Sequence, residues 1–259
     1  MIPSGHTAVM ASRREPPDSL EFFPTPPWAT RALCEHVLPH LGLMQDMDFS
    51  ACWDPACGEG HMFEVLLEYF GGGGWGSDIF DYGRGYRVED FLDERTVIGS
   101  PPDRPHPEFN ISNPPFRPAA AFVRRALTLA PVVAMLLRTA WIEGVERYET
   151  LFRDQPPTLF APFVERVPMT KGRWDPDAST ATAYAWFVWV RGRASLPPFW
   201  IPPGCRRALS RTDDRRRFAA VPEPGPSSRR LRSICHVGDR PSGRARGQGQ
   251  RSLSRLHEG

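Results

Sequence analysis

The heptad Asp54-Pro55-Ala56-Cys57-Gly58-Glu59-Gly60 leaves this chain few folds to choose from. It stands between a short stretch, 49–53, able to serve as a strand and a segment, 62–70, whose apolar residues recur at helical spacing. Strand, glycine turn and helix in that order form the nucleotide-binding corner of an open α/β sheet, where ligands lie beyond the carboxyl ends of the strands. Glycines at such a corner permit positive φ and close approach of the backbone. The charges narrow the ligand further. A phosphate-cradling loop offers N–H groups to an anion and has little use for carboxylates. This loop carries Asp54 and Glu59 and lacks the Lys-Ser/Thr ending of a P-loop. Carboxylates suit a cationic ligand with no phosphate, and S-adenosylmethionine is such a ligand. The plainer alternative is an ordinary loop in which Asp54 caps the helix.

The rest of the chain alternates in the same way. Further strands are expected at 75–79, 87–91, 109–112 and 132–137, and helices at 28–41, 119–129 and about 141–153. Alternation of this kind implies an α/β fold with a mostly parallel sheet covered on both faces. Two late strands, 159–168 and 183–190, read as an antiparallel hairpin. The second strand ends in Asp78-Ile79, roughly 20 residues beyond the glycine loop, the usual place for a carboxylate that accepts ribose hydroxyls. The third ends in Asp90 and Phe91, an acid beside an aromatic ring.

After the fourth strand comes Asn113-Pro114-Pro115-Phe116. Two prolines fix φ near −65° and remove two backbone donors. A carboxamide and an aromatic ring flank that rigid turn and together offer acceptors for an amino group and a flat face for a base. A proline-rich loop with a solvated Asn is the bland alternative, and the chain has 29 prolines.

Taken together, these residues resemble the S-adenosylmethionine-dependent DNA adenine-N6 methyltransferases of phage or mobile-element type. Asn113 to Phe116 match their (D/N/S)-P-P-(Y/F/W) motif, with Phe116 in place of the commoner tyrosine. Asp54 to Gly60 match their first motif, and Phe23-Pro24-Thr25-Pro26 matches the element that closes over the methionine end of the cofactor. The order of these motifs is the one called gamma. The resemblance spans about residues 20–218, including the late strand 183–190 and Trp200 to Gly204. It implies a Rossmann-like class I methyltransferase fold, a seven-stranded mostly parallel sheet with a C-terminal antiparallel hairpin. It also implies cofactor contacts from Phe23, Thr25, Asp54, Ala56, Gly58, Gly60, Asp78, Ile79, Asp90 and Phe91, and catalysis by Asn113, Pro114, Pro115 and Phe116. Related activities that use the same motif, on an RNA guanine amino group or a protein glutamine, are the alternatives, as is a catalytically silent nucleic-acid-binding relative.

Between the late strands, Lys171, Arg173 and Trp174 mix cations with an aromatic. They are expected at the rim of a target-base pocket, contacting DNA, or else in a solvated hairpin loop. The domain reading is a flexible leader at 1–19, a catalytic domain at 20–204, a basic extension at 205–220 and a disordered Arg/Pro/Gly-rich tail at 221–259. From Cys205 onward lie 14 of the 32 basic and 5 of the 30 acidic residues, so this segment is strongly cationic and the rest mildly acidic. DNA attraction then needs local basic patches plus the tail. Five cysteines with no C-x-x-C pair argue against both a disulfide framework and a structural zinc site. Residues 1–20 lack the apolar core of a signal peptide, and the longest apolar run, 183–190, is too short to cross a bilayer. A cytoplasmic protein without metal or membrane partner is the expectation, its oligomeric state open.

Overall fold

The strands β1 (Cys52–Asp54), β2 (Gly74–Asp78), β3 (Arg87–Val88), β4 (Phe109–Ser112), β5 (Val132–Arg138), β6 (Leu159–Pro162) and β7 (Tyr184–Val190) join in one sheet, ordered β3-β2-β1-β4-β5-β7-β6. β1 to β5 pair in parallel; β7 runs antiparallel between β5 and β6. This is the Rossmann-like, mostly parallel seven-stranded sheet expected, with its antiparallel C-terminal hairpin. The computed structural model describes residues 21–71, 73–95 and 106–218. The leader expected at 1–19 and the tail expected at 221–259 lie outside the described residues.

The interior strands are covered on both faces, so they read as near-continuous apolar runs. β5 is buried from Val132 to Leu137 and β7 from Tyr184 to Trp189. Because side chains alternate across a strand, Val132, Ala134 and Leu136 enter one core, and Val133, Met135 and Leu137 enter another. The first core is roofed by the helix Pro27–Ala32, which runs on through a π-helical turn, Leu33–Val37, to His40. The second is roofed by the helix Ala119–Leu129, whose Phe122, Val123 and Ala126 face the sheet. Among the described residues no helix is long and apolar enough to cross a membrane.

Several elements differ from expectation at their ends. β1 begins at Cys52, not residue 49, because the Phe49 side chain is exposed to solvent. β3 has only two residues; beyond it Asp90 Oδ1 accepts from Leu92 N (2.9 Å) and turns the chain. The helix expected from 141 starts only after Gly144, whose φ of 120° interrupts it. β6 stops at Pro162, a proline tolerated because β6 is an edge strand.

The segment 205–218 folds back as two short helices, Cys205–Leu209 and Asp214–Phe218. They are held by Arg31, a wholly buried guanidinium on the first helix. All five of its N–H groups donate: Nε and Nη2 to Glu68 (2.9 and 3.1 Å), Nη1 and Nη2 to Asp214 (2.8 and 2.7 Å), and Nη1 to the Leu209 carbonyl (2.7 Å). Burial opposes the charge on Arg31, but its bonds to Asp214 and Glu68 outweigh that and raise its pKa. Arg211 and Arg217 also reach Glu68. Arg215 pairs with Asp177 (3.0 Å), and Arg206 donates to the Pro176 carbonyl (2.5 Å). Most of the positive charge in this segment is therefore engaged within the fold.

Candidate active site

The strand order reverses between β1 and β4, and ligand crevices of open α/β sheets lie at such a reversal. β1 delivers Asp54 there, and β4 delivers Ser112 and Asn113. Asp54 is fully buried and accepts from Ser112 Oγ (2.7 Å) and Ala56 N (3.3 Å). Burial, which these two bonds only partly offset, pushes its carboxyl up to about 7. The loop that follows is folded over by Asp78 at the end of β2, which accepts from Gly58 N (2.8 Å) and Phe80 N (3.1 Å). Burial raises the Asp78 pKa as well. Gly58 and Gly60 have φ of 54° and 88°. A side chain at Gly58 would collide with the Phe22 ring, and one at Gly60 with Tyr86. What approaches the glycines so closely is thus the protein itself, not a phosphate.

Asn113 is set by the N-terminal segment. Its Nδ2 donates to the Phe23 carbonyl (2.9 Å) and to Thr25 Oγ1 (3.1 Å), and lies 3.6 Å from Met169 Sδ. A backbone carbonyl only accepts, so the nitrogen must face Phe23 and the oxygen must face away. Oδ1 is buried and has no hydrogen-bond partner among the described residues. Buried polar atoms are satisfied in the large majority of cases, and among the described residues that line the cavity Asn113 Oδ1 and His61 Nδ1 are the buried side-chain atoms left without a partner. The diproline turn is anchored by Glu21, whose carboxylate accepts from Phe116 N (2.6 Å) and Arg117 N (3.3 Å).

Between these elements lies a cavity of about 470 Å³, within the roughly 300–1,000 Å³ typical of ligand pockets. Of the residues singled out in the sequence, Phe23, Thr25, Asp54, Ala56, Asp78, Ile79, Asp90, Phe91, Asn113 and Pro115 line it. Gly58 and Gly60 shape the loop behind the wall, and Pro114 is buried in the turn. Phe116 sits next door, its ring 5.1 Å from Phe23 and 4.2 Å from the Arg138 guanidinium. Ile79, exposed, and Phe91, backed by Trp53 and Phe122, supply apolar surface to the cavity. Lys171, Arg173 and Trp174 do not line the cavity. Trp174 is packed edge-on against Phe218 and beside Val65, so the ring expected at the pocket rim belongs to a small core. Glu21, Phe22 and Tyr82 are brought in by tertiary folding and carry no local signature, whereas His61 closes the glycine motif and Met169 opens the segment expected at the pocket rim, neither with a role of its own in the sequence. Among the described residues no cluster of three or more His, Cys, Asp or Glu gathers as a metal would need.

No protein-family model matches the chain, and no curated protein matches it. Its fold is shared with solved structures at low identity. The methyltransferase subunit of a type I restriction-modification system from Streptococcus thermophilus is 11% identical, with a TM-score of 0.50 over 66% of this chain and 45% of that one. This chain therefore spans less than half of that protein's length. A candidate RNA methyltransferase from Pyrococcus horikoshii is 15% identical, with a TM-score of 0.47 over 68% of this chain and 90% of that one. The modification subunit of a candidate type I restriction enzyme from Vibrio vulnificus is 13% identical, with a TM-score of 0.45 over 84% and 54%. At such identities the likeness is one of fold.

Proposed function

We propose that this chain transfers a methyl group from S-adenosylmethionine to the exocyclic N6 amine of adenine in DNA. The observation that carries the reading is the Asn113 carboxamide, held by its nitrogen so that Oδ1 stays open. Adenine's amine is a weak nucleophile because its lone pair is delocalised into the ring. Asn113 Oδ1 and the Pro114 carbonyl accept its two hydrogens, orient the amine and stabilise the positive charge that develops on nitrogen. The proton then leaves to solvent.

The cavity residues fit the cofactor. Asp78 accepts from the backbone of the glycine loop at Gly58 and from the chain just beyond β2, and it lines the cavity, where its carboxylate oxygens are acceptors for ribose hydroxyls. Ile79 and Phe91 offer apolar surface to the adenine, with Asp90 beside them. Asp54, Phe23 and Thr25 wall the end next to Asn113. S-adenosylmethionine supplies a methyl group already activated on a sulfonium, so the chain needs neither a metal nor a strong base.

The target amine is out of reach inside a duplex, so the base must leave the stack at a cost of a few kcal/mol. Stacking on Phe116 offsets about 1–3 kcal/mol of that. A base stacking on the face covered by Arg138 takes the place of that exposed guanidinium. The Phe23–Pro26 element, which grips Asn113, and the late strand carrying Trp186 resemble the DNA enzymes and favour them over their RNA and protein relatives. The name of the Streptococcus thermophilus neighbour agrees with methyl transfer in a restriction-modification setting. Incubation with tritiated-methyl S-adenosylmethionine and DNA, RNA or protein tests the reading. N6-methyladenine in the DNA arm is expected. Label only in RNA or protein, or in none, overturns it.

A further inference from the structure

His61 follows the glycine loop directly and lines the same cavity. Its ring is buried, 5.6 Å from the Phe218 ring and 6.1 Å from the Phe22 ring. Nε2 lies 3.1 Å from the Phe218 carbonyl oxygen. That oxygen only accepts, so Nε2 carries the ring proton and Nδ1 is left with its lone pair. Burial lowers the ring's pKa and so favours this neutral form. Nδ1 is itself buried and has no partner among the described residues. Its one requirement is a donor, and beyond the Phe218 and Phe22 rings the residue borders the cavity.

We propose that His61 Nδ1 accepts a hydrogen bond from the α-ammonium of the cofactor's methionine moiety, with the Phe218 carbonyl fixing the tautomer that makes it an acceptor. The assignment rests on the cofactor reading above. The ammonium is the ligand group that fits for two reasons. On the cofactor reading Asp78 takes the ribose hydroxyls and Ile79 and Phe91 take the adenine, which leaves the amino-acid part for His61, beside Phe22 of the N-terminal segment. The cofactor's amino-acid part carries three N–H donors on a cation, which a neutral imidazole nitrogen suits. The second short helix of the 205–218 segment thereby reaches the ligand through one intermediary: Phe218 positions His61, and His61 makes the contact.

The test compares two neutral-sulfur probes, S-adenosylhomocysteine, which has the ammonium, and 5′-methylthioadenosine, which lacks the amino-acid part. His61→Gln keeps a donor for the Phe218 carbonyl and removes the Nδ1 acceptor. By calorimetry it is expected to weaken S-adenosylhomocysteine about tenfold, the loss of one bond to a charged group, and to leave 5′-methylthioadenosine unchanged. Equal weakening of both probes, or of neither, assigns His61 a purely structural role and overturns the proposal. Should the variant not fold, the His61 Nδ1 resonance of the unaltered chain serves instead. It should shift with S-adenosylhomocysteine and not with 5′-methylthioadenosine; an equal response to both overturns the assignment. If the unaltered chain binds neither probe, the cofactor reading fails and this assignment falls with it.

Discussion

Arg31 and Asn113 are both polar side chains set deep in the fold, but their hydrogen bonding differs in kind. At Arg31 every donor is matched, and the carboxylates it meets are matched in turn, Glu68 by Arg211 and Arg217 and Asp214 by the Arg211 backbone N–H. At Asn113 one half of the carboxamide is matched and the other is left open. The first arrangement has no valence left for a ligand and holds the molecule together. The second is held rigid by its bonded half so that the open half is aimed. His61 repeats the second pattern, with Nε2 engaged and Nδ1 open. Under the proposed function, saturation of the local hydrogen bonds is what distinguishes the Arg31 cluster from the cavity pair Asn113 and His61.

The comparison breaks most easily at Arg31. Asp214→Ala strands a buried guanidinium and should cost about 3–5 kcal/mol of stability, read from the urea midpoint; a loss under about 1 kcal/mol would mean the cluster holds little together. Asn113→Ala should do the reverse. Methyl transfer should fall on the order of 10²–10³-fold, with cofactor affinity and urea midpoint nearly unchanged. A variant that unfolds like Asp214→Ala while keeping its turnover would erase the distinction. Asp78→Ala should raise the cofactor dissociation constant roughly tenfold or more by removing hydroxyl acceptors; unchanged affinity by calorimetry would take Asp78 out of the ribose site.

The smallest effect concerns pH. The folded chain holds the Asp54 proton up to about 7, whereas the unfolded chain releases it near roughly 4. Between those values the folded state binds more protons, so raising the pH destabilises the empty protein by on the order of 1 kcal/mol per unit. Asp54→Asn should flatten that slope in chemical unfolding at pH 5, 6 and 7. An identical slope in both proteins would place the titration elsewhere.

The parts of the fold that were legible in the sequence are those governed by local rules. The helix Ala119–Leu129 and the strand Phe109–Ser112 were read to the residue, because a moment of apolar spacing and a bounding diproline define them. The glycine corner and the Asp78 position follow from turn chemistry at fixed intervals. What escaped depends on partners far along the chain. The arginines after Cys205 read as a cationic extension because their acids, Glu68 and Asp177, lie elsewhere in the sequence. Trp174 read as a rim aromatic because Val65 and Phe218, which bury it, are remote. Glu21 has a role only once β4 brings the diproline turn beside it.

The separation of Arg31 from Asp214, 183 positions along the chain, has a consequence for synthesis on the ribosome. The helix carrying Arg31 emerges early, yet its cation finds its carboxylate only when nearly all of the described residues have been made. β6 waits similarly for β7, its neighbour in the sheet. A nascent chain stalled before residue 205 has all seven strands of the sheet but a guanidinium without its full complement of partners. Among the described residues, the helix Asp214–Phe218 in this sense reports completion back to the helix Pro27–Ala32.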